Sequence, residues 1–219
     1  EALTESGVPN LSVDLGLPTL VPAICEALNI DQSTDGASLK TALNQKDAPA
    51  IASLGENLGG RANELFSGLL NCVGPADNAL KALHKIDLPE EAAGELEKLS
   101  AVIACLRERS PDLTITIDPV ETRGYEYHTG VTFTFFALDV RGEIGRGGRY
   151  LADDANGDSR GGSSDETATG VSLFIDSILR ALPEPAPQKR VYVATASAEV
   201  AQNLRLEGWA VVEQFAADT

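Results

Sequence analysis

Two short motifs near the middle of the chain hold the residues best suited to chemistry. The first is Arg123-Gly124-Tyr125-Glu126-Tyr127-His128-Thr129-Gly130, which runs into an alternating stretch from Val131 to Val140. The second is a glycine turn about one strand-length later, Gly145-Arg146-Gly147-Gly148-Arg149-Tyr150. Side chains alternate between the two faces of a strand, so one face can bring together a cation, a tyrosine and a small hydroxyl to grip a zwitterion. The planar fork of Arg123 matches a carboxylate, and Glu126 can hold an ammonium or imidazolium group. Gly147 and Gly148 let the backbone approach a ligand closely, and Arg149 adds a second cation. With Tyr127, His128, Thr129, Gly130 and Tyr150 they describe a small polar pocket for an amino acid or a phosphorylated ligand. The competing reading is a hairpin with ordinary surface charge. The glycines match neither a Walker phosphate loop nor a dinucleotide fingerprint.

His128, beside aromatic residues, reads as a hydrogen-bonded structural residue. The only other histidine, His84, falls in a helical segment. No serine or cysteine nucleophile has local support, so no catalytic triad can be built. No pair of histidines has metal-ligand spacing, and neither a metal nor a cofactor is expected. Cys25, Cys72 and Cys105 are far apart and odd in number, which argues against a disulfide framework or a zinc site. Each sits among apolar neighbours and reads as a buried thiol in a reducing cytoplasm.

Charge narrows the partners. With 17 basic and 33 acidic residues the net charge is −16. Nucleic-acid binding draws its affinity from Lys and Arg at phosphates, and only Lys81/Lys85 and Lys189/Arg190 come close to clustering. No apolar run approaches the roughly 20 residues of a membrane helix. The start, Glu1-Ala2-Leu3-Thr4-Glu5, lacks the basic and apolar regions of a secretory signal. It begins with Glu in a chain without Met, which reads as a fragment or processed chain whose parent carries more at its N-terminus.

The elements that must position the motifs are legible in outline. Val13 to Leu17 reads as a strand and Leu20 to Leu28 as a helix. Residues 31 to 110 read as a helical subdomain whose long last helix opens at Pro89-Glu90-Glu91, with acids where the helix dipole favours them. Its expected apolar face is Ala92, Leu96, Leu99, Val102, Ile103 and Leu106. Leu113 to Ile117 and Val131 to Phe136 alternate as half-buried strands, with a hairpin turn at Gly142. Residues 152 to 167 read as an exposed loop. The stretch from Thr169 leads into a helix ending near Leu182. Pro183 to Pro187 forms a stiff linker. Beyond it, Arg190 to Ala194, Ala198 to Leu206 and Trp209 to Val212 read as strand, helix and strand with parallel pairing.

The two motifs resemble the amino-acid pocket of the histidyl-tRNA synthetase family, which carries Arg-Gly-Leu-Asp-Tyr-Tyr-Thr-Gly and then Gly-Gly-Gly-Arg-Tyr-Asp. Arg123, Gly124, Tyr127, Thr129, Gly130, Gly147, Gly148, Arg149 and Tyr150 match. Glu126 stands for the aspartate and His128 for the second tyrosine. Arg146 stands for the first glycine of the triple and Leu151 for the last aspartate. The third motif of class II synthetases aligns with Gly170 to Ser177, and Ser177 replaces an arginine that in the family helps hold ATP. The second motif, with its own ATP-binding arginine, cannot be located and would belong in an N-terminal part missing from this chain.

The resemblance implies an α+β fold with an antiparallel class II synthetase-like sheet flanked by helices. Residues 1–182 would form a partial core with a helical insertion at about 31–110. A linker at 183–188 and a truncated C-terminal α/β segment at 189–219 would follow. The departures resemble a catalytically silent branch of the family, the regulatory subunits of ATP phosphoribosyltransferase. That branch implies no catalytic residues and a histidine-like pocket. It also implies assembly with the short-form catalytic subunit in the first step of histidine biosynthesis, self-association as in synthetase dimers, and a cytoplasmic location. The alternative is a fragment of a histidyl-tRNA synthetase.

Overall fold

The computed structural model describes residues 2–31, 35–122, 127–152, 166–184, 187–193 and 198–213. It divides into two compact units, Glu1–Leu182 and Pro183–Thr219.

The first unit opens with a short helix, α1 (Ala2–Glu5), a strand, β1 (Leu11–Gly16), and a helix, α2 (Leu20–Ala27). Four helices follow: α3 (Asp35–Gln45), α4 (Ala48–Leu58), α5 (Gly60–Leu70) and, after the two-residue strand β2 (Gly74–Pro75), α6 (Ala76–Leu83). The long helix α7 (Glu90–Arg109) closes this helical region. Strands β3 (Thr114–Asp118), β4 (His128–Ala137), β5 (Gly145–Ala152) and β6 (Glu166–Leu173) complete the sheet, and α8 (Ile175–Ala181) ends the unit. The sheet order is β2-β3-β1-β4-β5-β6. Every neighbouring pair is antiparallel except β1 with β3, which run parallel. The expected antiparallel sheet is therefore mixed. The parallel pair arises because six helices, α2 to α7, connect its two strands, long enough for a crossover.

Period-2 alternation assigns the two faces. Val13, Leu15, Ile115 and Ile117 are buried and share one core with the helices, including Leu43, Phe66, Leu69, Leu83 and Leu99. Phe133 and Phe135 pack against the same core, their ring centroids 5.4 Å apart. A smaller core joins Leu3, Val8, Ala137, Ile144, Ile178 and Ala181 at the other end of the sheet. The helices follow their sequence signals. Asp47 caps α4 by accepting from the Ala50 N–H, with a proline in the first turn. The last helix of the insertion has Glu90 and Glu91 in its first turn and Arg107 and Arg109 in its last, each complementing the helix dipole. Of its expected face, Ala92, Leu96, Leu99 and Ile103 are buried.

Several expectations change. The glycine "turn" at Gly145–Tyr150 is strand β5, and the turn before it contains Gly142, whose φ of +91° suits glycine. Residues 166–173, expected as the end of a loop and the lead into a helix, form β6. The rest of that expected loop, 153–165, lies outside the described residues. Cys25 and Cys72 are buried free thiols, but Cys105 is exposed. Ala101, Val102, Leu106 and Arg109 surround it, away from the buried stripe of α7.

The second unit consists of β7 (Arg190–Val193), α9 (Ala198–Leu206) and β8 (Ala210–Glu213), with β7 and β8 parallel. Ala201 of the helix is buried, and the Lys189 ammonium lies over the Trp209 ring at 5.6 Å. No helix among the described residues is long and apolar enough to cross a membrane.

The helical core gives a direct stability test. Leu99 is fully buried, so Leu99→Ala is expected to cost about 2–5 kcal/mol, read as a lower denaturant midpoint at unchanged m-value.

Candidate functional site

The sheet face turned away from the helices carries a cleft of about 820 Å³. Register explains its shape. Gly16 pairs with Thr132, Thr132 with Gly148, and Gly148 with Gly170, so one row across four strands contains three glycines. The next row is Thr116, Asp14, Thr134, Arg146 and Ser172, polar or charged throughout. On the other side His128 pairs with Tyr150, and Tyr127 stacks on Tyr150 with centroids 5.0 Å apart. The result is a trench floored by backbone, with a polar row along one side and an aromatic wall along the other. The β4 register shifts between His128 and Thr132. Such an irregularity re-aims the side chains beside it.

The glycines are required by the space around them. A Cβ on Gly148 would lie 2.8 Å from His128 Nδ1 and 2.9 Å from Thr132 Cγ2. A Cβ on Gly147 would lie 2.0 Å from the Gly170 carbonyl oxygen and 2.7 Å from Phe133 Cζ. The first clash is with side chains that can move. The second is with the backbone of the neighbouring strand.

Among the described lining residues, charge is supplied by Asp14, Glu121 and Glu143 on one hand and Arg146 on the other. Asp14 is partly buried and accepts a hydrogen bond from the Thr116 hydroxyl. Burial pushes its carboxyl above the usual aspartate range, and the nearby Asp118 and Glu121 push it the same way; the Thr116 bond and Lys46 act against them. The chain entering the first motif is tied to the end of α3. Asn44 donates to Thr122 Oγ1 at 2.9 Å and accepts from the Thr122 N–H at 3.1 Å. Lys46 pairs with Asp118 at 2.6 Å.

Of the residues expected to form the pocket, Tyr127, His128, Gly147, Gly148 and Tyr150 line the cleft. Arg123 and Glu126 lie outside the described residues. Arg149 is on the other face of β5, where it donates to Thr167 and packs over Gly130. Thr129 and Gly130 are not among the lining residues either. His128 Nδ1 is buried without a hydrogen-bond partner among the described residues, unlike the hydrogen-bonded histidine expected from the sequence. Its ring meets Tyr127 edge-on at 5.2 Å. The sequence reading missed Asp14, Glu121, Thr132, Thr134, Glu143 and Ser172, and gave Arg146 no role. One signal was available: a lone acid, Asp14, between the buried Val13 and Leu15. Ser177 is buried and accepts from Arg180 at 2.9 Å, away from the cleft lining.

An open mixed sheet flanked by helices, with a glycine-floored cleft on its free face, is the architecture of a class II synthetase core. Residues 1–178 match the histidyl-tRNA synthetase family model, and the chain belongs to that family. Among curated relatives, an ATP phosphoribosyltransferase regulatory subunit of Paramagnetospirillum magneticum is 44% identical over 213 residues, covering 97% of this chain and 52% of the relative. One of Rhodospirillum centenum is 41% identical, covering 96% and 51%. The chain thus spans about half the length of these relatives. Three solved structures share the fold. An ATP phosphoribosyltransferase regulatory subunit/histidyl-tRNA synthetase from Bacillus halodurans C has a TM-score of 0.72 at 22% identity, covering 97% of this chain and 56% of that one. A histidyl-tRNA synthetase from Nostoc sp. PCC 7120 has a TM-score of 0.69 at 20% identity, covering 99% and 55%. The ATP phosphoribosyl transferase (HisG:HisZ) complex from Thermotoga maritima has a TM-score of 0.59 at 18% identity, covering 80% and 57%.

Two predictions follow from the cleft. Gly147→Ala is expected to cost about 1–3 kcal/mol by overpacking and Gly148→Ala less, compared by thermal unfolding of the two variants. Asp14 has a folded pKa above its unfolded value of 3.8. Its ionised form therefore opposes folding at neutral pH, and this penalty disappears as the pH falls below that value. Asp14→Asn, which keeps an acceptor for Thr116, should raise the denaturation midpoint at pH 7. At pH 3.5 it should leave the midpoint close to that of the parent.

Proposed function

We propose that this chain is part of a non-catalytic regulatory subunit of ATP phosphoribosyltransferase, acting in the first step of histidine biosynthesis. The observation that carries the reading is the charge of the cleft. An ATP-activating site must meet a triphosphate with cations placed for the charge that develops in the transition state. Among the described residues this cleft sets three carboxylates against one guanidinium. At the position where the family pattern has its ATP-holding arginine, the chain has Ser177, buried and bonded to Arg180. The names of the two relatives above 40% identity support the same reading.

The partner is then the short-form catalytic subunit, as the name of the Thermotoga complex suggests; self-association as in synthetase dimers belongs to the same proposal. The pocket residues of the two motifs, with Arg123 and Glu126 among them, would hold histidine and bias the assembly between active and inactive states. Such coupling is reciprocal: histidine changes the affinity for the partner by the factor that the partner changes the affinity for histidine. A net charge of −16 fits a role without nucleic acid. The free thiols, one of them exposed, fit a reducing cytoplasm.

The test is reconstitution. The full-length protein is mixed with a short-form catalytic subunit from the same source, and turnover of ATP with phosphoribosyl pyrophosphate is followed. Turnover that needs both proteins and falls on addition of histidine is the expected result. Histidine-dependent exchange of pyrophosphate into ATP by this protein alone, without activation of the partner, would establish the synthetase reading instead.

A further inference from the structure

We propose that Arg146 is an oxyanion-binding residue of the cleft, taking the carboxylate of a small ligand whose other end is cationic. The inference rests on reading the cleft as an amino-acid pocket. It adds a residue that stands where the family pattern has glycine.

Position is the first argument. Arg146 lies in the polar row, with Thr134 on one side and Ser172 on the other. Asp14 lies in the same row beyond Thr134. Asp14 and Arg146 are therefore two strand spacings apart, about 10 Å between backbones, on the same face and opposite in charge. A zwitterion laid along the row meets a complementary charge at each end, above a floor that the glycines keep clear.

Availability is the second argument. The Arg146 side chain is 65% exposed. Among the described residues its partners are the Glu143 carboxylate at 3.4 Å and the ring of Phe174, 6.0 Å from the guanidinium carbon. A pair so exposed is weakly held and readily exchanged. The ring offers no acceptor that competes for the N–H donors. A ligand carboxylate can take two parallel N–H bonds from the fork, a stronger arrangement than the single long contact to Glu143.

The experiment is calorimetric titration of the full-length protein, its Arg146→Gln variant and its Arg146→Gly variant. The titrants are L-histidine, histamine (the same imidazole and amine without the carboxylate) and inorganic phosphate. Thermal melts check that the variants remain folded, as expected for an exposed side chain. The parent should bind histidine at least about tenfold more tightly than histamine, the scale of one charge-assisted contact. Both variants should lose about tenfold for histidine and keep their histamine affinity. Phosphate that competes with histidine in the parent but not in the variants supports the same oxyanion role. Variants that bind histidine as the parent does would overturn the role of Arg146 and leave the pocket reading intact. A parent that binds no histidine would sink the pocket reading and this inference with it. The reconstitution assay would still decide the regulatory reading.

Discussion

The register of β1 against β3 and β4 is the constraint on which the rest of the first unit depends. Side chains alternate with a period of two, so a slip of one residue would move every side chain of a strand to the opposite face. With Val13 opposite Ile115 and Phe135, and Leu15 opposite Ile117 and Phe133, the apolar half of each strand meets the helices. The same register puts Asp14 beside Thr116 and Thr134, and Gly16 beside Thr132. Burial of the apolar face thus fixes the polar one. The free energy that selects the pairing comes from the helical side, where Leu15, Leu43, Leu69 and Leu99 are almost wholly removed from water.

The helical insertion also reaches the functional face. Its first helix ends at Gln45, and the next residue, Lys46, has a φ of +56° that turns the chain sharply. Asn44 and Lys46 then hold Thr122 and Asp118, so one helix end fixes both the last residue of β3 and the residue just before the first motif. The reciprocal Asn44–Thr122 pair satisfies a buried hydroxyl that would otherwise be costly to keep dry. A displacement of α3 would therefore be felt at the entrance of the cleft.

Local patterns were legible in the sequence and non-local ones were not. The alternation of Thr114 to Ile117, the helical face of Ala92, Leu96, Leu99 and Ile103, and the strand–helix–strand order after residue 189 all depend on neighbours within a few positions. The sequence of Gly145–Tyr150 reads as a turn because its first four residues are Gly, Arg, Gly and Gly, poor strand formers in isolation. It is a strand because β4 and β6 pair with both its edges. Cys105 was read as buried from its apolar neighbours, yet it lies off the stripe that faces the core. The polar row of the cleft gathers residues from five strands, more than 150 positions apart at the extremes. No spacing within one segment announces it.

A floor made of Gly16, Gly148 and Gly170 is chemically mute. It contributes shape and backbone but no side chain that prefers one ligand over another. Chemical variety is thereby concentrated in the few side chains along its borders, and several of these, such as Arg146 and Tyr127, are exposed and bear little of the folding energy. An ancestor's pocket on this scaffold could lose one chemistry and acquire another through substitutions at the border alone. The division of labour between a silent floor and an editable rim gives a physical route by which one family can hold both synthetases and regulatory subunits.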